Sequence, residues 1–353
     1  MGRRQAVVLM NLGGPDSPEA VQPFLFNLFN DKAIFRLPQP FRSWLAAMVA
    51  RRRAPTAMEI YRHLGGRSPL LPNTEAQAAA LHAALGGSAE VRIFIAMRYW
   101  HPFTAQTVSD VRRWGPDEVI LLPLYPQFST TTTASSVELW RKTARTLRLD
   151  VPTRTVCCYP YEQGLTEAMA GLIAPLLTAA AAHGRPRLLL SAHGLPESVV
   201  TSGDPYQWQC EQTGAAVVEV LARIDPRFVG LDWSVCYQSR VGPLKWIGPA
   251  TESEIKRAGQ DGVPLVVAPI AFVSEHSETL VELDIEYRHL AESVGVPHFA
   301  RAPAVGTDPQ FIEGLARLVR LAADETGPLL SGCGGRLCPT SHRSCPFQEA
   351  KRS

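Results

Sequence analysis

Apolar runs of strand length alternate with helix-like stretches along the whole chain, and that alternation confines it to a parallel α/β architecture. The runs are "AVVLMNL", "VRIFIAM", "EVILLPLY", "RLLLSAH", "LDWSVCY" and "PLVVAPIAF". Their ends match in pairs across the two halves. "VLMNLGGP" resembles "LLLSAHGLP", "AMRYWHP" sits in the same order as "YQSRVGP", and "LPLYPQFSTTTT" resembles "APIAFVSEHSET". Three matches in the same order predict a duplication, with two similar domains whose strand-end loops face a shared cleft. The expected division is residues 1–150, with an insertion over about 20–70, then 151–325, then a cysteine-containing tail over 326–353.

A chain of 353 residues, 46% of them hydrophobic, can fill two such cores. Its net charge of +2 gives no electrostatic footprint for nucleic acid, because the basic residues are scattered apart from Arg51–Arg53. No Gly-x-Gly-x-x-Gly or Gly-x-x-x-x-Gly-Lys-Ser/Thr occurs, so neither a dinucleotide nor a nucleoside triphosphate is indicated. The start "MGRRQAVVLMNLGGP" reads as a first strand rather than an export signal. Seven cysteines, an odd number, then point to a reducing cytoplasm, where thiols serve as ligands or core residues more often than as disulfides.

The insertion is rich in Phe, Leu and Trp. Phe24, Leu25, Leu28 and Phe29 fall on one helix face, and Phe35, Leu37 and Phe41 follow after a break. Arg51–Arg53 come next, as expected of a lip that rests on a membrane surface or opens onto a large apolar ligand.

Three features carry chemistry. In "FVSEHSETLVELDIEY", Glu275, Glu278, Glu282 and Glu286 recur every three or four residues, with Leu280, Leu283 and Tyr287 on another face. Like charges at that spacing each cost a helix about 0.2–0.5 kcal/mol, so the row calls for a compensating cation. It begins at the carboxyl end of a strand and includes His276, which can exchange protons near neutral pH. His193 directly follows the buried run "RLLLS", so it too sits at a strand end. One imidazole facing carboxylates suits Fe(II), Zn(II) or Co(II), and the same groups accept protons. The third feature is the tail "SGCGGRLCPTSHRSCPFQ" with Cys333, Cys338 and Cys345, whose spacing departs from zinc ribbons. A [2Fe-2S] cluster needs a fourth ligand, which Cys157 or Cys158 of "VCCYP" could supply, with His342 as a substitute. Cys210 and Cys236 read as packed.

Taken together, "NLGGP", "RRRAP...IYRHLGGRSP", "MRYWHP", "LPLYPQFSTTTT", "SAHGLP", "YQSRVGPLKWIGP" and "PIAFVSEHSETLVELDIEY" resemble the ferrochelatase family over nearly the whole chain. Its members insert ferrous iron into a porphyrin at the last step of haem synthesis. The resemblance implies two Rossmann-like domains of the chelatase fold without a nucleotide, and a porphyrin cleft between them. It places the family's histidine on His193 and its cleft glutamate on Glu278, a pair that binds iron as substrate and removes pyrrole protons, either one being the base. His276, Glu282 and Glu286 match a proton or metal path. Leu12, Arg53, Tyr61, Ser68, Tyr125 and Trp246 match positions around the macrocycle, and Arg98 and Tyr99 match a pair on the side from which metal arrives. Animal members have a cluster cysteine where Thr130 follows "YPQFS" here, so Cys157 or Cys158 has to take over as fourth ligand beside Cys333, Cys338 and Cys345, with Cys158 preferred. The implied partners are protoporphyrin IX, ferrous iron and the inner face of a membrane. Rival readings are a chelatase for coproporphyrin with iron or sirohydrochlorin with cobalt, and a non-catalytic haem or iron carrier. A carrier has no need of a proton exit, which argues against the last.

Overall fold

The computed structural model describes residues 3–35, 37–240 and 244–347, so Val241, Gly242 and Pro243 of the "YQSRVGP" motif lie outside the described residues. The chain divides into two compact units that do not follow chain order. The first comprises Met1–Leu124, Ser129–Cys157 and Val319–Leu329; the second comprises Tyr125–Phe128, Cys158–Leu318 and Leu330–Ser353.

In the first unit β1 (Gln5–Asn11) leads to α1 (Val21–Phe29), α2 (Phe41–Arg62) and α3 (Leu70–Ala84). Then come β2 (Val91–Met97), α4 (Thr104–Trp114), β3 (Glu118–Pro123), α5 (Thr133–Thr146) and β4 (Thr153–Val156). The second unit holds α6 (Gln163–Ala180), β5 (Arg187–His193), α7 (Glu197–Thr201), α8 (Tyr206–Ile224) and β6 (Asp232–Gln238). It continues with α9 (Thr251–Asp261), β7 (Leu265–Pro269), a π-helix (Glu278–Glu286), α10 (Tyr287–Ser293) and β8 (Phe299–Arg301). The chain then runs through α11 (Pro309–Asp324) to a short β9 (Leu329–Leu330), which lies beside β4 in the first sheet.

The duplication is visible in the sheets. The first has the order β2-β1-β3-β4-β9 and the second β6-β5-β7-β8, so four strands take the same spatial order in each, and the paired strands within each set of four are parallel. Central strands β1, β3, β5 and β7 are apolar runs because helices cover both of their faces. Equivalent helices also stop alike: α4 ends at Gly115 and α9 at Gly262, both left-handed, where a glycine escapes the Cβ clash that other residues would meet. α6 is long and apolar enough to cross a bilayer, but half of its apolar window is buried, and it packs against α8 and β7.

The registers align the two strand-end sets residue by residue. Met10 pairs with Pro123 and Ser191 with Pro269, which makes Leu12 the counterpart of His193. By the same pairing Arg98 corresponds to Gln238 and Tyr99 to Ser239. The equivalent ends thus carry different chemistry: Leu12 stands where the second sheet has His193, and Arg98 and Tyr99 stand where it has Gln238 and Ser239.

The insertion packs inward and outward at once. Phe24 and Leu25 are buried with Val21, Ala50, Ala54, Tyr61 and Tyr99, so these two belong to the core of the lip and not to an exposed face. Its large exposed apolar side chains include Phe41, Trp44 and Met48, about one turn apart along α2, with Ile34 and Leu37 before them and Met58 further along the helix.

Candidate active site

His193 ends β5, and its Nδ1 lies 2.9 Å from Oε2 of Glu278, the first residue of the π-helix. The Tyr206 hydroxyl donates to the His193 carbonyl at 3.0 Å and steadies the strand end. Side-chain exposures of 39% and 29% show that both partners remain reachable. Burial opposes protonation of His193, but the Glu278 charge and hydrogen bond outweigh it and raise its pKa. Burial likewise resists ionisation of Glu278, and the imidazole opposite overcomes it and holds that carboxyl below the usual range. The Nδ1 contact leaves Nε2 as the nitrogen not engaged by this pair.

Glu282 behaves in the opposite sense. Burial and the neighbouring Glu278 charge raise its pKa, although Ser239 and Tyr287 donate to it. Ser239 N–H donates to Oε1 at 2.8 Å and its hydroxyl lies 2.5 Å from Oε2, while the same hydroxyl is 3.3 Å from Glu278 Oε2. Gln238, fixed by the Ser191 hydroxyl, donates to Glu282 as well. Two carboxyls with proton affinities pushed apart are therefore bridged by one hydroxyl, a geometry through which a proton could pass. Ser239 has φ 60°, a left-handed backbone that costs energy in a non-glycine residue and here aims both its N–H and its hydroxyl at the carboxylates.

The π-helix sorts the acidic row. Tyr287 N–H bonds to Glu282 O five residues back, a pattern that occurs mostly as single turns and frequently at functional sites. Glu275 turns away to Arg301 at 2.8 Å and to the Ala304 N–H, so the compensating cation expected for the row is, for that member, an arginine from β8. Glu286 is exposed at the far end of the row. His276 is buried: its Nδ1 accepts from Thr279 N–H at 3.3 Å, capping the π-helix, and its ring meets Phe272 edge to face. Burial lowers its pKa, so it sits neutral beside the charged pair. Trp246 packs within 3.3 Å of the place a Cβ on Gly194 would occupy, beside His193.

The strand ends of the first unit form a second group. Arg98 N–H and Tyr99 N–H donate to Asn11 O and Leu12 O, both at 2.9 Å, placing Leu12, Arg98 and Tyr99 side by side. Ser68 N–H donates to Pro15 O at 2.7 Å, and a Cβ on Gly14 would lie 2.4 Å from Ser68 Oγ, so only glycine allows this approach. Tyr61 is buried at the end of α2 while Arg53 is exposed on it. Tyr125, half-buried, follows the end of β3 and belongs to the second unit.

In the tail Cys338 and Cys345 are buried and share a hydrogen bond. That bond from Cys338, the Phe347 N–H and the nearby Arg336 charge bring the Cys345 thiol down to about 6, against the pull of burial. Tyr161 accompanies the other two: its pKa is pushed up to about 12 by burial and then by Cys333, with Cys158 and Cys338 adding to the shift. Gly332 N–H donates to the Cys158 carbonyl at 2.8 Å and brings the tail alongside that residue. Arg336 organises the tail by donating to the carbonyls of Cys338, Pro339 and Phe347. Among the described residues no three His, Cys, Asp or Glu side chains converge as a single-ion site does.

The ferrochelatase family profile matches residues 4–323. The chain belongs to the ferrochelatase family. It is 52% identical to a ferrochelatase of Caulobacter vibrioides over 353 residues, covering 99% of both chains. It is 54% identical to a ferrochelatase of Phenylobacterium zucineum over 343 residues, covering 96% of this chain and 97% of the relative. Among solved structures it is similar to SirB from Bacillus subtilis with Fe3+, at a TM-score of 0.54 and 12% identity, covering 91% of this chain and 96% of that one. At that identity the likeness establishes the chelatase fold alone.

The sequence brought His193, Glu278 and Glu282 into view but not Ser239 or Gln238, and it placed Tyr287 on the apolar face, whereas the Tyr287 hydroxyl donates to Glu282. The signal for Ser239 was present, since it directly follows the last residue of β6 at a strand's carboxyl end.

Proposed function

We propose that the chain inserts ferrous iron into protoporphyrin IX, releasing two protons and forming protohaem. The observation that carries this reading is the contact of His193 Nδ1 with Glu278, backed through Ser239 by a second carboxyl, Glu282, whose pKa burial and the Glu278 charge raise. Insertion breaks two pyrrole N–H bonds as four iron–nitrogen bonds form, so a catalyst must accept two protons while handling a dication. His193 Nε2 takes a pyrrole proton, and the Glu278 charge stabilises the resulting imidazolium. Glu278 and Glu282 then pass protons along Ser239 toward Glu286, with His276 held neutral beside them. Arg98 and Tyr99 line the approach of the metal, and Leu12, Arg53, Tyr61, Ser68, Tyr125 and Trp246 contact the macrocycle. Incubating anaerobically purified protein with Fe(II) and protoporphyrin should produce the haem spectrum. Haem formed only from coproporphyrin, or turnover only of sirohydrochlorin with cobalt, would replace this substrate by another of its class.

The tail fits a [2Fe-2S] centre. Its donor set would be four cysteines, Cys158, Cys333, Cys338 and Cys345; the Cys345 thiol is lowered to about 6, and the other three lie near Tyr161. When bound, the centre supplies a tether between the tail and Cys158.

The outer face of α2 supports peripheral attachment to a membrane. Phe41 and Trp44 are 65% and 68% exposed, and exposed Arg51–Arg53 lie two turns further along the same helix. Replacing both aromatics with Ser is expected to lower cosedimentation with anionic liposomes at least about tenfold, since each buried aromatic contributes roughly 1.5–3 kcal/mol. Replacing Phe24 instead should destabilise the protein, because that ring is core. Undiminished binding by the Phe41/Trp44 variant would return this face to some other use.

A further inference from the structure

Asp31 is a buried carboxylate that the proposed proton route does not use. It lies just after α1 in the insertion, and its Oδ2 accepts three hydrogen bonds: from Arg98 Nη2 at 2.7 Å, the Tyr99 hydroxyl at 2.8 Å and the Ser135 hydroxyl at 2.6 Å. Oδ1 accepts from the Ala33 N–H at 2.9 Å. Arg98 Nε also donates to Ser135 Oγ at 2.9 Å. One carboxylate thus joins three separate stretches, namely the insertion, the carboxyl end of β2 and the first turn of α5. Burial opposes its ionisation, but Arg98 and the surrounding donors prevail and hold it below the usual carboxylate range.

The second unit repeats the device. Tyr99 and Ser239 occupy equivalent places in the two sheets, and each hydroxyl reaches a carboxylate from another element, Asp31 in one case and Glu282 in the other. There is one difference: the carboxylate of the first unit faces a permanent cation. The Arg98 side chain is 18% exposed and that of Asp31 only 3%, so a ligand at this strand end would meet the guanidinium and not the carboxylate.

We propose that Asp31 is a positioning residue for metal insertion that acts through Arg98, fixing the guanidinium at the strand end and cancelling its charge, so that an arriving dication is not repelled. This rests on the reading that the chain inserts iron and that Arg98 lines the metal's approach. The test is anaerobic steady-state kinetics of the parent, Asp31→Asn, Arg98→Leu and the double variant, with porphyrin affinity measured by fluorescence. Asp31→Asn should raise KM for Fe(II) about tenfold or more and change porphyrin affinity less than about threefold. In the Arg98→Leu background the same substitution should change kcat/KM less than about threefold, because the group it acts through is already gone. An equal cost in both backgrounds would overturn the proposal, as would a loss confined to porphyrin binding. Should Asp31→Asn alone fail to fold, Arg98→Leu and the double variant still decide, since neither leaves the guanidinium unpaired; a drop of about tenfold between them would overturn it. Absence of haem formation by the parent would remove both this inference and the iron-insertion reading, whereas an active parent with a background-independent Asp31→Asn effect removes this inference alone.

Discussion

Replacing His193 with alanine is expected to lower kcat for iron insertion by about 10²–10⁴-fold, the range for loss of a positioned general base. The fold should survive, because the His193 side chain is 39% exposed and not a packing element of the second core. Circular dichroism and a thermal melt close to those of the parent, with porphyrin still bound, would assign the loss to chemistry. Near-normal turnover would remove His193 from the proton route. The companion variant Glu278→Gln probes the same pair from the other side. In the parent, the Glu278 charge keeps His193 protonated to a higher pH than burial alone would allow. The proposed route needs the neutral imidazole, so activity should fall as pH drops through that raised value. With glutamine in place the attraction is gone while burial remains, so the His193 pKa falls and the acid limb of the pH–rate profile moves to lower pH. A limb that stayed in place, or moved up, would mean that another group governs it.

Much of this site was legible in the sequence because it follows from strand ends. Buried parallel strands announce themselves as apolar runs, and the residue after each run is where α/β folds gather ligands, which is how His193 stood out. The duplicated order of the two sheets was legible for the same reason. Less could be read from periodicity. Acids at spacings of three and four suggested one uniform stripe, whereas the π-helix and Arg301 give Glu275, Glu278 and Glu282 three different environments. Spacing reports neither a wider helical turn nor a cation from a distant strand. The lip shows a similar limit: an apolar face has the same pattern whether it meets core or solvent, and only packing separated buried Phe24 from exposed Phe41. Asp31 gave no signal, since a single acid in an apolar insertion reveals its three partners only once the chain has folded.

Changing Cys338 to serine should produce the second large effect, this time on colour and stability. Protein purified without oxygen is expected to be reddish, with about two irons and two acid-labile sulfides per chain, as four cysteine thiolates around a [2Fe-2S] centre require. Cys338 is buried, accepts a hydrogen bond from Gln209 Nε2 at 3.1 Å and shares another with Cys345. Serine offers a harder, far less acidic oxygen in a place shaped for sulfur, so the centre should be lost. The tail has little apolar surface of its own; its ties to the body are mostly hydrogen bonds, including Gly332 N–H to Cys158 O, Ser344 N–H to Gly203 O and Gln209 to Cys338, with a Trp208–His342 ring contact. Where a site exists only in the folded chain, the free energy of binding is also free energy of folding. The melting temperature should therefore fall by about 5–10 °C, equivalent to roughly 2–3 kcal/mol in a domain of this size. Gln209 is fully buried and its carbonyl oxygen accepts from the Phe128 N–H at 2.7 Å, so the disturbance should reach the loop that carries Tyr125 and appear as weaker porphyrin binding. Zinc without sulfide would replace the cluster by a structural zinc site. An anaerobic protein that is fully active yet holds neither metal nor sulfide, with a Cys338→Ser variant as stable as the parent, would rule the tether out.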